Sequence, residues 1–173
     1  SAASDVYKRQ ARNYAGQEYI VGLIKIALQD YPEIPTALHL DHGSSFEICK
    51  ACIDGGFTSV MYDGSKHSFE ENVRITKEVV AYAHNKGVVV EAELGRLAGV
   101  EDLVSVDAKD AIFTDPDQAA EFVELTGCDS LAIAIGTSHG AYKYSGEPYL
   151  DYERLEKVGQ LLPDYPVSYT HLR

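Results

Sequence analysis

The sequence has no long apolar runs, few basic residues and few cysteines, and each shortage excludes a class of protein. Its longest apolar stretches, such as residues 88–90 and 131–135, fall far short of the roughly 18 residues that a membrane span needs, so no membrane partner is expected. Lys and Arg number 15 against 27 Asp and Glu, and a chain of net charge −12 repels a phosphate backbone, so no nucleic-acid partner is expected. Three cysteines are too few for a disulfide scaffold and favour a reducing, cytoplasmic location.

Short apolar runs alternate with helix-period stretches along the 173 residues. The predicted strands cover residues 36–41, 58–62, 88–94, 130–135 and the start of a fifth at 166–167. The predicted helices are 14–30, one opened by Ser44, one opened by Ser68, one opened by Asp115 and Pro116, and 151–162. Strands and helices in alternation, with short connections, predict parallel βαβ units and an α/β fold.

Three segments do not follow this alternation. Residues 95–113 have no clear periodicity and are predicted to form a long loop, which inside a compact domain is usually functional. Residues 1–10 (SAASDVYKRQ) have no helix or strand period, and residues 168–173 (SYTHLR) interrupt the last strand, so both ends are interpreted as foreign sequence. The hypothesis is that residues 11–167 are the middle of a longer protein, since a closed eight-stranded barrel takes about 250 residues.

Polar residues follow the apolar bodies of the predicted strands. His42, Asp63, Glu93 and His139 come from four different strands, and parallel sheets bind ligands at the carboxyl ends of their strands. Imidazole nitrogen suits Zn²⁺, and carboxylate oxygens can share its site. Taken singly, each of these residues is more often a cap or a hydrogen-bond partner. Together they favour a catalytic metal site with one ligand still unaccounted for.

The remaining candidate residues are interpreted as structural. His39 is predicted to be a supporting or core histidine, and His67 and His84 are predicted to be surface residues. Cys49 and Cys52 form a C-x-x-C pattern on one stripe of a predicted helix, and without a second such pair a core position is favoured over a redox or zinc role.

Seven motifs then resemble, in order, those of the class II ketose-bisphosphate aldolases. They are LHLDHG at 38–43, GFTSVMYDGS at 56–65, FEEN at 69–72, EAELG at 91–95, Glu101-Asp102, TDP at 114–116 and GTSHGAYK at 136–143. The similarity covers roughly residues 11–167 and is greatest to the bacterial-type fructose-1,6-bisphosphate aldolases. Tagatose-1,6-bisphosphate aldolases share most of these motifs and stay open as an alternative.

The resemblance implies part of a zinc-dependent TIM (β/α)₈ barrel that cleaves fructose 1,6-bisphosphate reversibly to dihydroxyacetone phosphate and glyceraldehyde 3-phosphate, a step of glycolysis and gluconeogenesis. By motif match, His42 and His139 are zinc ligands, and Asp41 is the acid/base that moves the proton of the C4 hydroxyl. Asp63 and Glu93 stand beside the metal, at an alternative or second cation position. Such a metal stabilises the enediolate left when the C3–C4 bond breaks, so no Schiff-base lysine is needed.

The resemblance also implies roles outside the metal site. Glu101, on the long loop, shuttles a proton at the enediolate carbon, and Gly140 and Lys143 lie near a phosphate and a monovalent cation. A third zinc histidine is expected just after 166–167, where SYTHLR stands instead. The full-length parent is expected to be a homo-oligomer. The 173-residue piece is expected to be inactive and poorly folded alone, because it lacks that ligand and leaves barrel edges open.

Two rival hypotheses remain at this stage. A zinc-dependent barrel hydrolase also needs histidines at strand ends, although it would not require a mobile loop acid paired with phosphate sites. A non-catalytic structural or interaction module would bind neither Zn²⁺ nor a hydroxamate analogue of the enediolate.

Overall fold

A computed structural model describes residues 14–95, 113–136 and 150–168 and, as backbone alone, residues 6–8, 98–101, 104–106 and 138–139. The strands in chain order are β1 Val6–Lys8, β2 His39–Gly43, β3 Ser59–Tyr62, β4 Val89–Leu94, β5 Ala98–Glu101, β6 Val104–Val106, β7 Ser130–Ile133, β8 Ser138–His139 and β9 Val167–Ser168. The helices are α1 Gln17–Asp30, α2 Phe46–Asp54, α3 Phe69–His84, α4 Pro116–Thr126 and α5 Tyr152–Leu161.

The main sheet has six strands in the order β1-β2-β3-β4-β7-β9, and every neighbouring pair is parallel. Strands that follow one another in chain order, joined by right-handed crossovers, leave their helices on one side of the sheet. The helices do pack side by side, α2 on α3, α3 on α4 and α4 on α5. A doubly wound sheet would instead reverse its strand order, so this arrangement is that of an arc of a (β/α)₈ barrel.

Local capping signals explain where several helices begin. The Ser68 hydroxyl accepts a hydrogen bond from the Glu71 backbone N–H at the start of α3. Asp115 accepts from the backbone N–H groups of Asp117 and Gln118, with Pro116 in the first turn of α4. These caps were predicted from the sequence, and the structure confirms them.

The cap of α2 was predicted one residue too early. Ser45, not Ser44, has the extended backbone of a capping residue, and its hydroxyl accepts from the Ile48 backbone N–H. Two serines stand side by side before this helix, and propensity does not distinguish them. The end of β2 decides which of the two serines caps the helix. Because β2 runs to Gly43 rather than to the predicted residue 41, the capping position falls on Ser45.

Two further segments differ from the sequence expectation. Residues 95–113 were predicted to be a loop, but β5 and β6 form an antiparallel pair within them, and β8 adds to β5 in parallel. Residues 1–10 showed no period, but β1 pairs with β2. Such short strands, without the apolar run that marked β3 and β7, carry little sequence signal, so their formation depends on the edge that a neighbouring strand offers. Ser168 likewise continues β9 into the segment predicted to interrupt it.

The core lies between the main sheet and the helices. Val60, Val90 and Leu131 on neighbouring strands are fully buried, as are Val79 of α3 and Phe122 of α4. Cys49 and Cys52 are buried thiols in this layer, as their helical stripe predicted. Among the helices that the structure describes, none has the length and apolar character to cross a membrane.

Tyr62 gives the first testable prediction. Its ring is fully buried on the helix side of β3, and its hydroxyl has no hydrogen-bond partner among the described residues. Burial, followed by the charge of Asp63, raises the pKa of Tyr62 to about 12. Because a buried hydroxyl without a partner costs about 1–3 kcal/mol, Tyr62→Phe is expected to leave the free energy of unfolding unchanged or to raise it. Urea unfolding followed by circular dichroism checks this, and a loss of more than about 1 kcal/mol would contradict it.

Candidate metal centre

His42 has an irregular backbone within β2. Its φ of 53° lies in the left-handed region, which few residues other than glycine adopt. The register between β2 and β3 shifts at the same place, between Leu40 and Gly43. In a regular strand the side chains of Asp41 and His42 would point to opposite faces. Here the irregularity brings Asp41 Oδ1 to 3.6 Å from His42 Nε2.

Three side chains from adjacent strands meet at this point. His42 Nδ1 lies 3.1 Å from Asp63 Oδ2 and 3.3 Å from Glu93 Oε2. One donor atom from each residue lies within 4.8 Å of the other two. Asp63 directly follows β3 and Glu93 lies in β4, so the parallel register of β2, β3 and β4 is what aligns the three side chains.

The donor set suits a divalent cation such as Zn²⁺. It comprises one imidazole nitrogen and two carboxylate oxygens, and catalytic zinc sites have three protein ligands of these types and an open position. Bonds of about 2.0–2.1 Å in a tetrahedron set donor atoms about 3.3 Å apart. The two distances from His42 Nδ1 match that spacing. Within the described part of the chain this is the group of residues that could hold a metal ion.

Ser65 fixes the orientation of Asp63, which the sequence analysis did not foresee. Asp63 Oδ1 accepts hydrogen bonds from the Ser65 backbone N–H at 3.0 Å and from its hydroxyl at 2.6 Å, which leaves Oδ2 toward His42. Burial alone would raise the pKa of Asp63, but the hydrogen bonds from His42 and Ser65 more than offset it and lower the pKa to about 2. The carboxylate is therefore ionised, as a metal ligand must be. An Asp followed two residues later by Ser is the Asx-turn signal that could have indicated this contact.

A second polar group lies along the sheet from the metal cluster. His39 Nδ1 is 2.8 Å from Ser59 Oγ, and His39 Nε2 is 3.5 Å from Glu91 Oε2. Ser168 Oγ lies 2.5 Å from the other oxygen of Glu91. Burial lowers the pKa of His39, against the opposing effect of the Glu91 and Asp41 charges. The supporting position predicted for His39 agrees with these contacts, and His67 and His84 are exposed as predicted.

The other predicted site residues are placed only by their backbone or lie outside the described residues. His139 belongs to β8, whose partner β5 ends at Glu101, and Gly99 of β5 is the register partner of His139. The chain segments that carry Glu101 and His139 therefore belong to the same small sheet. Gly140 and Lys143 lie outside the described residues.

Comparison with known proteins identifies the family. The model of the family described as "Fructose-bisphosphate aldolase class-II" matches residues 5–171. The chain belongs to the class II fructose-bisphosphate aldolase family. A fructose-bisphosphate aldolase of Helicobacter pylori is 56% identical over 151 residues, which are 87% of this chain and 49% of that protein. One from Geobacillus stearothermophilus is 52% identical over 152 residues, which are 87% of this chain and 52% of the relative.

Solved aldolase structures confirm the fold. The crystal structure of the YdjI aldolase from Escherichia coli K12 superposes with a TM-score of 0.76 at 37% identity, covering 95% of this chain and 55% of that one. The six-stranded parallel sheet of this class II aldolase chain is thus part of a TIM (β/α)₈ barrel, as predicted. The chain spans about half the length of the curated relatives it matches.

Proposed function

We propose that the barrel to which this chain contributes is a zinc-dependent fructose-1,6-bisphosphate aldolase, which forms dihydroxyacetone phosphate and glyceraldehyde 3-phosphate reversibly. The observation that carries the proposal is the cluster of His42, Asp63 and Glu93, one donor atom from each, at aligned positions of three neighbouring strands. The family membership supports the same reaction class. The cytoplasm, sugar bisphosphates as small-molecule partners and a homo-oligomeric parent are part of the proposal.

The cluster would supply protein ligands for Zn²⁺, with His139 as the second histidine. When bound, the ion supplies a Lewis acid for the substrate oxygens next to the bond that breaks. His42 offers one ring nitrogen among the carboxylates and has the other beside Asp41. Ser65 holds Asp63 in a single orientation, so that this ligand position is set before any ion binds.

Asp41 is the base that the geometry favours for the C4 hydroxyl of the substrate. Its carboxylate is half-buried 3.6 Å from His42, so a substrate bound at the metal would present its hydroxyl beside it. Asp41 takes the C4 hydroxyl proton, the C4 carbonyl forms as the C3–C4 bond breaks, and the electron pair passes toward the adjacent carbonyl oxygen. In the reverse direction the same carboxyl returns the proton to the new hydroxyl.

The second proton transfer is assigned to Glu101, at the carbon that loses its bond. Glu101 is the last residue of β5, and His139 lies in β8 of the same small sheet. This shared sheet supports a position for Glu101 at the same face of the barrel as His139. Gly140 and Lys143 are proposed to contact a substrate phosphate and a monovalent cation. Residues 11–167 stay our prediction for the aldolase portion, with residues 1–10 and 168–173 as foreign segments.

A chimeric enzyme tests the activity. The 151 matched residues of the Helicobacter pylori aldolase are replaced by those of this chain, and cleavage of fructose 1,6-bisphosphate is followed with added Zn²⁺. The chimera is expected to turn over, and its Asp41→Asn variant is expected to lose about 10²- to 10⁴-fold in kcat, the usual contribution of a general base. The 173-residue chain alone is expected to show no turnover.

The matched control is Asp30→Asn in the same chimera, because Asp30 is an exposed residue at the end of α1 and its change should leave kcat as it was. A folded chimera that cleaves no sugar bisphosphate contradicts the proposed function. Preferential cleavage of tagatose 1,6-bisphosphate would assign the chain to the sister activity.

A further inference from the structure

Asn72 of α3 is a buried polar residue for which the sequence analysis found no role. Its side chain is only 2% exposed, in the layer between the helices and the main sheet. An amide in such a layer costs free energy unless each of its polar atoms has a partner. Two contacts of Asn72 are informative, because they are made with the two chain segments that carry Asp63 and Glu93.

The first partner is the backbone of Glu93 itself. Asn72 Nδ2 donates a hydrogen bond to the Glu93 carbonyl oxygen at 2.9 Å. The register of β3 with β4 ends at the pair of Tyr62 and Ala92, so β3 supplies no register partner for Glu93. On the β3 side, the side-chain amide thus contacts β4 one residue beyond the last pair with β3, while β7 pairs with Glu93 on the other side, at Ala132.

The second contact is with the turn that follows Asp63. Gly64 lies so close to Asn72 that a Cβ on it would be 2.0 Å from Asn72 Oδ1. The same Oδ1 accepts a hydrogen bond from the Thr76 hydroxyl at 3.2 Å, which fixes the direction of the amide. Gly64 stands between Asp63 and Ser65, the residue that orients the Asp63 carboxylate. One amide therefore packs against the Asp63 turn and bonds to the backbone of Glu93.

We propose that Asn72 is a positioning residue that sets the spacing between Asp63 and Glu93 and so tunes the affinity of the cluster for a divalent cation. The inference rests on the proposed function, since it takes the cluster to be a metal site. It assigns Asn72 no contact with the ion or the substrate. Residues that orient metal ligands typically change metal affinity by about 10- to 100-fold when they are replaced.

The test is Zn²⁺ titration calorimetry on the chimeric enzyme described above, in which the rest of the barrel completes the fold, and on its Asn72→Leu variant, which keeps the approximate size but removes the donor. The Kd is expected to rise about 10- to 100-fold. The visible absorption of bound Co²⁺ should change as well, because it reports the arrangement of the ligands rather than the amount of folded protein. Thr126→Val is the matched control. It also removes a buried hydroxyl, but one that donates to the Phe122 carbonyl oxygen within α4, outside the cluster, so it should bind Zn²⁺ nearly as the wild type does.

Asn72→Ala provides a second variant if the leucine does not fit, with circular dichroism measuring the folded fraction of each protein. The positioning role is overturned if the variants bind Zn²⁺ with wild-type affinity and an unchanged Co²⁺ spectrum. It is equally overturned if affinity falls only in proportion to the folded fraction. A folded wild-type chimera that binds no Zn²⁺ is a different outcome, because it removes the metal site of the proposed function together with the role given to Asn72.

Discussion

In the chimeric enzyme, His42→Asn is expected to raise the Kd for Zn²⁺ by more than about 100-fold, above the range found when residues that only orient a ligand are changed. His42 Nδ1 is the atom that approaches both carboxylates of the cluster, at 3.1 Å from Asp63 and 3.3 Å from Glu93. Without it, the cluster of described residues keeps two carboxylates and no imidazole, and oxygen donors suit Mg²⁺ or Ca²⁺ better than Zn²⁺. Titration calorimetry with Zn²⁺ measures the change directly.

Asparagine is the informative replacement because His42 has a φ of 53°. Asn adopts this backbone conformation more readily than Ala does, so the variant loses the imidazole and keeps the local chain path. The matched control is His84→Asn, since His84 is exposed and bonds Asp129 at 2.9 Å, outside the cluster. Equal Zn²⁺ affinity for wild type, His42→Asn and His84→Asn would mean that the cluster is not the binding site.

Gly43→Ala is expected to lower the free energy of unfolding by about 1–3 kcal/mol or more, the cost of inserting a methyl group into a filled core. An added Cβ would lie 2.7 Å from the Met61 carbonyl oxygen, 2.8 Å from Cys49 Sγ and 2.8 Å from Leu40 Cδ2. The first of these is backbone of β3, which the sheet holds in place. The strain is adjacent to His42, so Zn²⁺ affinity should fall with stability.

The control for this substitution is Gly159→Ala. Gly159 is exposed in α5, and nothing lies within 4 Å of the position that its Cβ would occupy. Alanine in a helix interior is favoured over glycine, so this variant should be more stable by up to about 1 kcal/mol. Urea unfolding curves measured under the same conditions compare the two. If Gly43→Ala proved as stable as wild type, the close packing around β2 that places His42 would be refuted.

Much of the fold follows from neighbours in the sequence. The capping roles of Ser68 and Asp115 depend on residues two or three positions away, and the buried stripe through Val79 and Ala83 depends on the helical period. Interactions between residues this close in the sequence form in much the same way whatever the rest of the fold. For the same reason the strand bodies and the polar residues after them were predictable.

The metal cluster was only partly predictable. The residue types at the strand ends indicated His42, Asp63 and Glu93, and the structure brings these three together. The pattern of alternation, by contrast, would have placed Asp41 and His42 on opposite faces of β2. Asn72 was missed as a support because its partner, the Glu93 carbonyl oxygen, lies on a chain segment that the sequence does not mark as a neighbour. The Ser65 contact is local to Asp63, and its Asx-turn signal was overlooked.

By itself the sequence determined the parallel α/β pattern, most helix starts and the residue types gathered at the strand ends, because propensity, periodicity and capping act over a few residues. Only the tertiary structure decided that Val6–Lys8 extends the sheet, that β5 pairs with β6 and β8, and that β2 changes register at His42. Each of these depends on a hydrogen-bonding edge or a packed neighbour far away in the chain. A bulge in particular is fixed by how two strands fit together, so the contact between Asp41 and His42 exists only once β2, β3 and α2 are assembled.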